Sequence, residues 1–119
     1  MTIFLFTSCT SKQIVSSSSA TILIKTPNMK FYDKGFIYKY EHYTQVQIFS
    51  AGTVVLDMKI YDDRICSSTF RCQDFKTFNK ENLHSSYKEN FIKELFEKND
   101  KEILYRDKAH GILIKILKD

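Results

Sequence analysis

Glycine and proline are scarce in this sequence, which has three Gly, one Pro and no Trp among 119 residues. A loop that holds phosphate groups through its backbone N–H groups needs several closely spaced glycines, so this scarcity argues against a nucleotide site. Beyond the N-terminal segment, no apolar run approaches the ~18 to 20 residues that span a bilayer. A chain of this length is expected to form one domain.

Charge of neither sign is concentrated in one part of the chain. The 18 basic and 14 acidic residues are spread along it and give a net charge of +4. Nucleic-acid-binding domains usually combine a basic patch with a recognition motif, and this sequence has no such motif. We therefore predict no nucleic-acid partner.

Motifs that carry catalysis or bind metal are missing as well. The sequence contains neither HExxH nor GxSxG. Its three histidines, His42, His84 and His110, lie in different segments, and none has a second ligand at metal-binding spacing. The sequence predicts no catalytic, cofactor-binding or metal-binding residues and a protein that is not an enzyme.

The N-terminal segment resembles the signal of a bacterial lipoprotein. A short apolar run ends in two small residues before Cys9, and a serine tract follows at residues 16–19. In this interpretation residues 1–8 are what remains of a signal peptide, Cys9 carries the lipid, and residues 9–19 form a flexible Ser-rich tether. The alternative is an ordinary buried strand in which Cys9 is a free thiol.

The other two cysteines, Cys66 and Cys72, are separated by five residues. This spacing does not match a CxxC redox pair, and no second ligand pair for zinc accompanies it. In an oxidising compartment the two cysteines would form a disulfide that closes a small loop, worth roughly 2 to 3 kcal/mol in the chain-entropy model. In a reducing compartment they would be two separate core thiols.

Most of the chain after the serine tract alternates apolar and polar residues, as half-buried antiparallel strands do. On the clearest strand four apolar residues share one face: Val54, Leu56, Met58 and Ile60. Turns are expected at residues 33–35, 50–52 and 62–63, where Asp, Gly and Ser collect.

Two short helices are expected before the last strands. Asp74 is placed to cap the first, and residues 86–89 have the spacing of a capping box for the second. The second helix carries four apolar residues on one face: Phe91, Ile92, Leu95 and Phe96. About seven short strands with this insertion predict a mainly β, immunoglobulin-like antiparallel β-sandwich over residues 20–119. The alternative is a single curved sheet packed against the helices, an α+β fold.

Aromatic residues cluster around one predicted turn, where Tyr38, Tyr40 and Tyr43 surround His42. Tyrosine offers a large rigid contact area with a polar tip and is favoured at protein interfaces. These four residues are therefore the candidate partner-binding surface. A sandwich edge that adds a partner strand through backbone hydrogen bonds is a second route. The alternative for Tyr38 and Tyr40 is that they face the core.

Four features together resemble a known family. They are the apolar-small-small-Cys junction at Cys9, the Ser-rich tether, the stretches 20–27 and 34–40, and the pair formed by Cys66 and Cys72. In these features the chain is similar to small envelope lipoproteins of Campylobacter-type bacteria. The resemblance implies a variant immunoglobulin-like β-sandwich that acts through protein–protein interaction, and it supplies no catalytic residue.

These observations favour a lipid-anchored cell-envelope lipoprotein that acts as a non-catalytic interaction module. Its partner would be another envelope protein. It would be anchored in the outer membrane and would face the periplasm. No cofactor or metal is expected. The alternative is a small periplasmic carrier of a lipid or apolar ligand, which an internal apolar cavity of roughly 300 Å³ or more would favour.

Overall fold

The computed structural model describes residues 14–68 and 71–119. Eight strands run through this part: β1 (Ile14–Lys25), β2 (Lys30–Tyr40), β3 (Thr44–Ser50), β4 (Thr53–Ile60), β5 (Arg64–Ser67), β6 (Arg71–Asp74), β7 (Glu102–Asp107) and β8 (Ile112–Lys118). The helices are α1 (Phe75–Asn82), α2 (Phe91–Glu97) and a 3-10 turn (Lys108–His110).

All eight strands belong to one sheet in the order β6-β5-β4-β3-β2-β1-β8-β7. Every neighbouring pair is antiparallel, and the helices lie between β6 and β7 in the chain. The mainly β, antiparallel architecture with a helical insertion is therefore confirmed. The structure has eight strands rather than about seven, and helices rather than a second sheet cover the core, as in the single-sheet alternative.

The sheet has one buried face, which we call the inner face, and an opposite outer face. Alternate residues of the strands point inward and are buried, for example Val46 and Ile48 in β3 and Ile114 and Ile116 in β8. This burial follows the period-two pattern of the sequence. The buried residues of neighbouring strands form one continuous face, because residues directly opposite each other point to the same side of the sheet. Twenty buried apolar side chains from sheet and helices form one core cluster.

The two helices pack on the inner face and begin in different ways. The Asp74 carboxylate accepts a hydrogen bond of 2.7 Å from the Thr77 N–H, so the predicted cap of α1 is confirmed. The predicted capping box for α2 is wrong, because the N-cap is Asn90 and it makes no side-chain cap bond. Ser86 instead forms a turn in which its N–H and hydroxyl both contact His84 Nδ1.

The turn predicted at residues 33–35 is wrong, because β2 runs through this segment without interruption. Gly35 pairs with Ile48 on β3, and its missing side chain allows a close approach of two backbones. A Cβ atom there would collide with the Gln47 carbonyl oxygen and lie 2.9 Å from Ile22 Cδ1. Glycine occupies this position because the neighbouring backbone leaves no room for a side chain. The sequence alone does not distinguish such a glycine from one in a turn.

The serine tract is also ordered differently from the prediction. Residues 14–19 form the first half of β1 and pair with β2, so the flexible tether is wrong for this segment. Backbone hydrogen bonds to a neighbouring strand do not require apolar side chains, which explains how Ser residues continue the sheet. Residues 1–13, with the predicted signal remnant and Cys9, lie outside the described residues.

A search of residues 14–68 and 71–119 finds no helix long and apolar enough to cross a membrane.

Candidate interaction surface

Six aromatic rings lie next to one another on the outer face of the sheet, and we call this group the aromatic row: Phe36, Tyr38, Tyr40, Tyr43, Phe49 and Tyr61. Along β2 the ring centroids are 5.9 Å apart between Phe36 and Tyr38 and 6.4 Å apart between Tyr38 and Tyr40. Tyr43 then stacks on Tyr40 at 4.6 Å. The row is thus continuous across the turn between β2 and β3.

Two further rings extend the row, Phe49 from β3 and Tyr61 from the position directly after β4. Phe49 meets Phe36 edge to face at 5.8 Å, and Tyr61 lies 5.2 Å from Tyr43. Strand register explains the grouping, because residues of β2, β3 and β4 that point away from the core share the outer face. Tyr38 and Tyr40 are partly exposed on this face, so the alternative that they face the core is excluded.

Polar and cationic groups accompany the rings. Asp57 accepts hydrogen bonds from the side-chain amides of Gln45 and Gln47, at 2.8 and 3.3 Å. The Lys59 Nζ lies 5.6 Å from the ring centroid of Tyr43. Burial, and after it the nearby Tyr61 hydroxyl, raises the pKa of Tyr43, which therefore keeps its proton and can donate a hydrogen bond at neutral pH. Ring faces beside such polar groups are typical of protein interfaces.

His42 is the predicted surface residue that the structure separates from the rings. Its side chain lies in the turn between β2 and β3 and is 80% exposed, with Nε2 3.8 Å from the Glu41 carboxylate. The structure therefore brings Tyr38, Tyr40 and Tyr43 together and leaves His42 at the tip of the turn.

The predicted disulfide between Cys66 and Cys72 is present. The two residues are directly opposite each other on β5 and β6, with Cα atoms 3.9 Å apart. Beside the bond lies an open depression of about 310 Å³, whose lining includes Asp57, Lys59 and Arg71. The depression is open to solvent, and its lining combines charged side chains with the disulfide.

A second cluster of titratable groups lies at the opposite end of the sheet. The His110 Nδ1 is 2.7 Å from Asp107 Oδ2, and the Tyr87 hydroxyl donates to the same oxygen at 2.5 Å. Tyr105 donates in turn to the Tyr87 hydroxyl at 3.0 Å. The ring of His84 packs against that of His110 with centroids 3.9 Å apart.

The hydrogen bonds of this cluster determine its protonation. The bonds from Tyr87 and then from His110 lower the pKa of Asp107, because both stabilise the carboxylate. Burial and the bond to Asp107 raise the pKa of Tyr87. The carboxylate also holds the proton of His110 on Nδ1 when the ring is neutral, as in many Asp–His pairs.

The two imidazole rings pack face to face, with centroids 3.9 Å apart and ring planes inclined by 32°. A search of the described residues finds no group of three or more His, Cys, Asp or Glu side chains that could hold a metal.

Sequence reasoning missed this cluster because it treated the three histidines as separate. His84 precedes α2 and His110 closes the β7–β8 hairpin, so only the tertiary fold brings their rings together. The local signal was the spacing of Asp107 and His110, which are three residues apart where β7 turns toward β8. That spacing alone does not indicate a second histidine.

Comparison with known proteins gives no relative: no protein-family model, no curated protein and no solved structure matches this chain. The resemblance to small envelope lipoproteins therefore stays a prediction.

Proposed function

We propose that this protein is a lipid-anchored cell-envelope lipoprotein that binds another envelope protein through the aromatic row and does not catalyse a reaction. The observation that carries the proposal is the continuity of six rings on the outer face of the sheet. Rigid aromatic side chains bury much area at little cost in conformational entropy, and they dominate the energetics of many interfaces.

The exposure of the row supports this role. Phe36 is 37% exposed, and the tyrosines of the row are partly exposed, so their ring faces can be buried further by a partner. Four of the six rings lie on β2 and β3, which hold them in fixed positions before binding, and the other two, Tyr43 and Tyr61, directly adjoin β3 and β4. Preorganised contacts lose less entropy on association.

The filled core supports an interaction module over the carrier alternative. Side chains from the sheet and both helices pack into one cluster, with Phe78 and Phe96 almost completely buried between the layers. The depression near the disulfide is open to solvent rather than enclosed.

The test is a capture experiment in which the bait carries Tyr43→Ala. Tyr43 contacts two other rings of the row, so its loss should weaken partner binding by about 1 to 3 kcal/mol, a roughly 5- to 150-fold rise in Kd. Candidate partners are identified by mass spectrometry from envelope extract, and each is then purified and titrated against bait by calorimetry.

The matched control is Tyr32→Ala. Tyr32 lies on β2 and is 71% exposed, and among the described residues its ring does not contact the rings of the row. A partner that is lost with Tyr43→Ala and kept with Tyr32→Ala supports the proposal. Equal binding by both variants would contradict the choice of surface.

A further inference from the structure

We propose that two copies of this protein pair through β7, edge to edge and antiparallel, to form a symmetric dimer with one continuous sheet. Within residues 14–68 and 71–119, β7 is the last strand of the sheet and pairs only with β8. An edge strand carries unpaired backbone groups along its free side, and these can pair with a strand of another chain. This inference is independent of the aromatic row.

The backbone groups that face the free side follow from one hydrogen bond. The Lys118 N–H donates to the Lys101 carbonyl oxygen, so the backbone groups of residue 101 point toward β8. In an antiparallel ladder this direction alternates along the strand. The N–H and C=O groups of Glu102, Leu104 and Arg106 therefore point to the open edge.

The side chains of these same three residues are exposed on the outer face. Leu104, in the middle, is 57% exposed. Neither Glu102 nor Arg106 has an ion-pair partner within residues 14–68 and 71–119. Along the edge, the unpaired acidic residue Glu102 is therefore followed by the exposed apolar residue Leu104 and the unpaired basic residue Arg106.

This order is self-complementary when the second copy runs antiparallel. With Leu104 opposite its own copy on a two-fold axis, Glu102 faces Arg106 of the second copy, and Arg106 faces Glu102. On the inner face, Ile103 faces Tyr105 in both directions. Opposite charges and apolar pairs directly across a ladder stabilise it, whereas like charges destabilise it. A symmetric dimer repeats each contact twice.

Other ways of pairing two β7 strands lose these opposite-charge and apolar pairs. A parallel pair in register places Glu102 against Glu102 and Arg106 against Arg106. A shift by one residue turns the side chains of one copy to the other face. The other edge of the sheet, β6, has only four residues, and its last residue, Asp74, is occupied as the cap of α1.

Charge exchange tests the register directly. The full chain carrying Cys9→Ser, so that neither lipid nor a Cys9 disulfide joins two copies, is studied by sedimentation equilibrium over a wide concentration range. Glu102→Arg alone and Arg106→Glu alone should each raise the dimer Kd about 10-fold or more, because two like-charge pairs replace two opposite ones. The double variant restores opposite charges and should return the Kd to within about 3-fold of the parent, a change of under 1 kcal/mol.

Leu104→Lys places two ammonium groups near the two-fold axis and should abolish the dimer. Val54→Lys is the matched control, because Val54 is an exposed apolar residue of β4, away from this edge. Circular dichroism checks that each variant is folded. A parent chain that is monomeric at about 0.5 mM, where a Kd of 1 mM corresponds to roughly 4 kcal/mol, would overturn the proposal. So would a dimer that tolerates Leu104→Lys, or single charge variants whose defect the double variant fails to repair.

Discussion

At the level of single residues, Asp107 connects several parts of the fold. It is the last residue of β7, it accepts a hydrogen bond from the hydroxyl of Tyr87 in the segment before α2, and it orients His110. One carboxylate therefore links the edge hairpin to the helical insertion. Its hydrogen bonds also make it sensitive to protonation, because both favour the charged form.

We expect the Asp107→Asn variant to have a weaker acid dependence of stability. The pKa of Asp107 is lowered in the folded protein by Tyr87 and His110, so its stabilising contribution is present above the unfolded pKa of about 3.9. It is lost as the pH falls through the lower folded pKa, since the unfolded chain then binds more protons. The free energy of unfolding should therefore fall less steeply between about pH 5 and pH 2 in the variant.

Urea unfolding at several pH values measures this slope. Asp100→Asn is the control, because Asp100 is an exposed carboxyl in the segment before β7. Slopes for Asp107→Asn and the parent that coincide over this range would show that the hydrogen bonds do not stabilise the carboxylate.

At the level of elements, the helices are fixed to each other through a buried amide. Asn79 of α1 is 2% exposed, and its Nδ2 donates to the carbonyl oxygens of Lys88 and Glu89 at 3.0 and 3.2 Å. These two carbonyls belong to the segment that leads into α2. The amide thus positions the start of α2, which lacks a side-chain cap of its own.

Asn79→Ala should lower the free energy of unfolding by about 1 to 3 kcal/mol, because two carbonyl groups lose their donor in a partly buried place. Lys80→Ala, one position further on α1 and exposed, is the control and should change stability little. Chemical denaturation of the three proteins gives the comparison. A change for Asn79→Ala no larger than that for Lys80→Ala would contradict the linking role.

The sequence predicted individual strands and helices better than it predicted the contacts between distant segments of the chain. The alternation around Leu56 and Met58 gave β4, and Asp74 gave the start of α1, because burial and capping act locally. The continuity of β2 through Gly35 depends on space beside β3, and the meeting of His84 with His110 depends on the whole fold. Neither is encoded within a short window of sequence.

At the level of the whole molecule, the proposed lipid anchor can be tested through Cys9. Metabolic labelling with a fatty-acid analogue, in a bacterial host that acylates lipoproteins, should label the full chain. Cys9→Ala should remove the label. A variant with Cys66→Ala and Cys72→Ala should keep it, because those residues form the disulfide. Labelling that persists in Cys9→Ala would contradict the lipid anchor.

The central place of β1 in the sheet has a consequence for synthesis. β1 pairs with β2, its neighbour in the chain, and with β8, the last strand. As the ribosome extends the chain, β1 to β6 can pair in succession, but the second side of β1 has no partner until β8 has been made. Closing so long a loop is entropically costly, so this pairing is expected late in folding. A nascent chain that stalls before residue 112 would leave the apolar stretch around Ile22 and Ile24 open to chaperones, proteases or other unfinished chains.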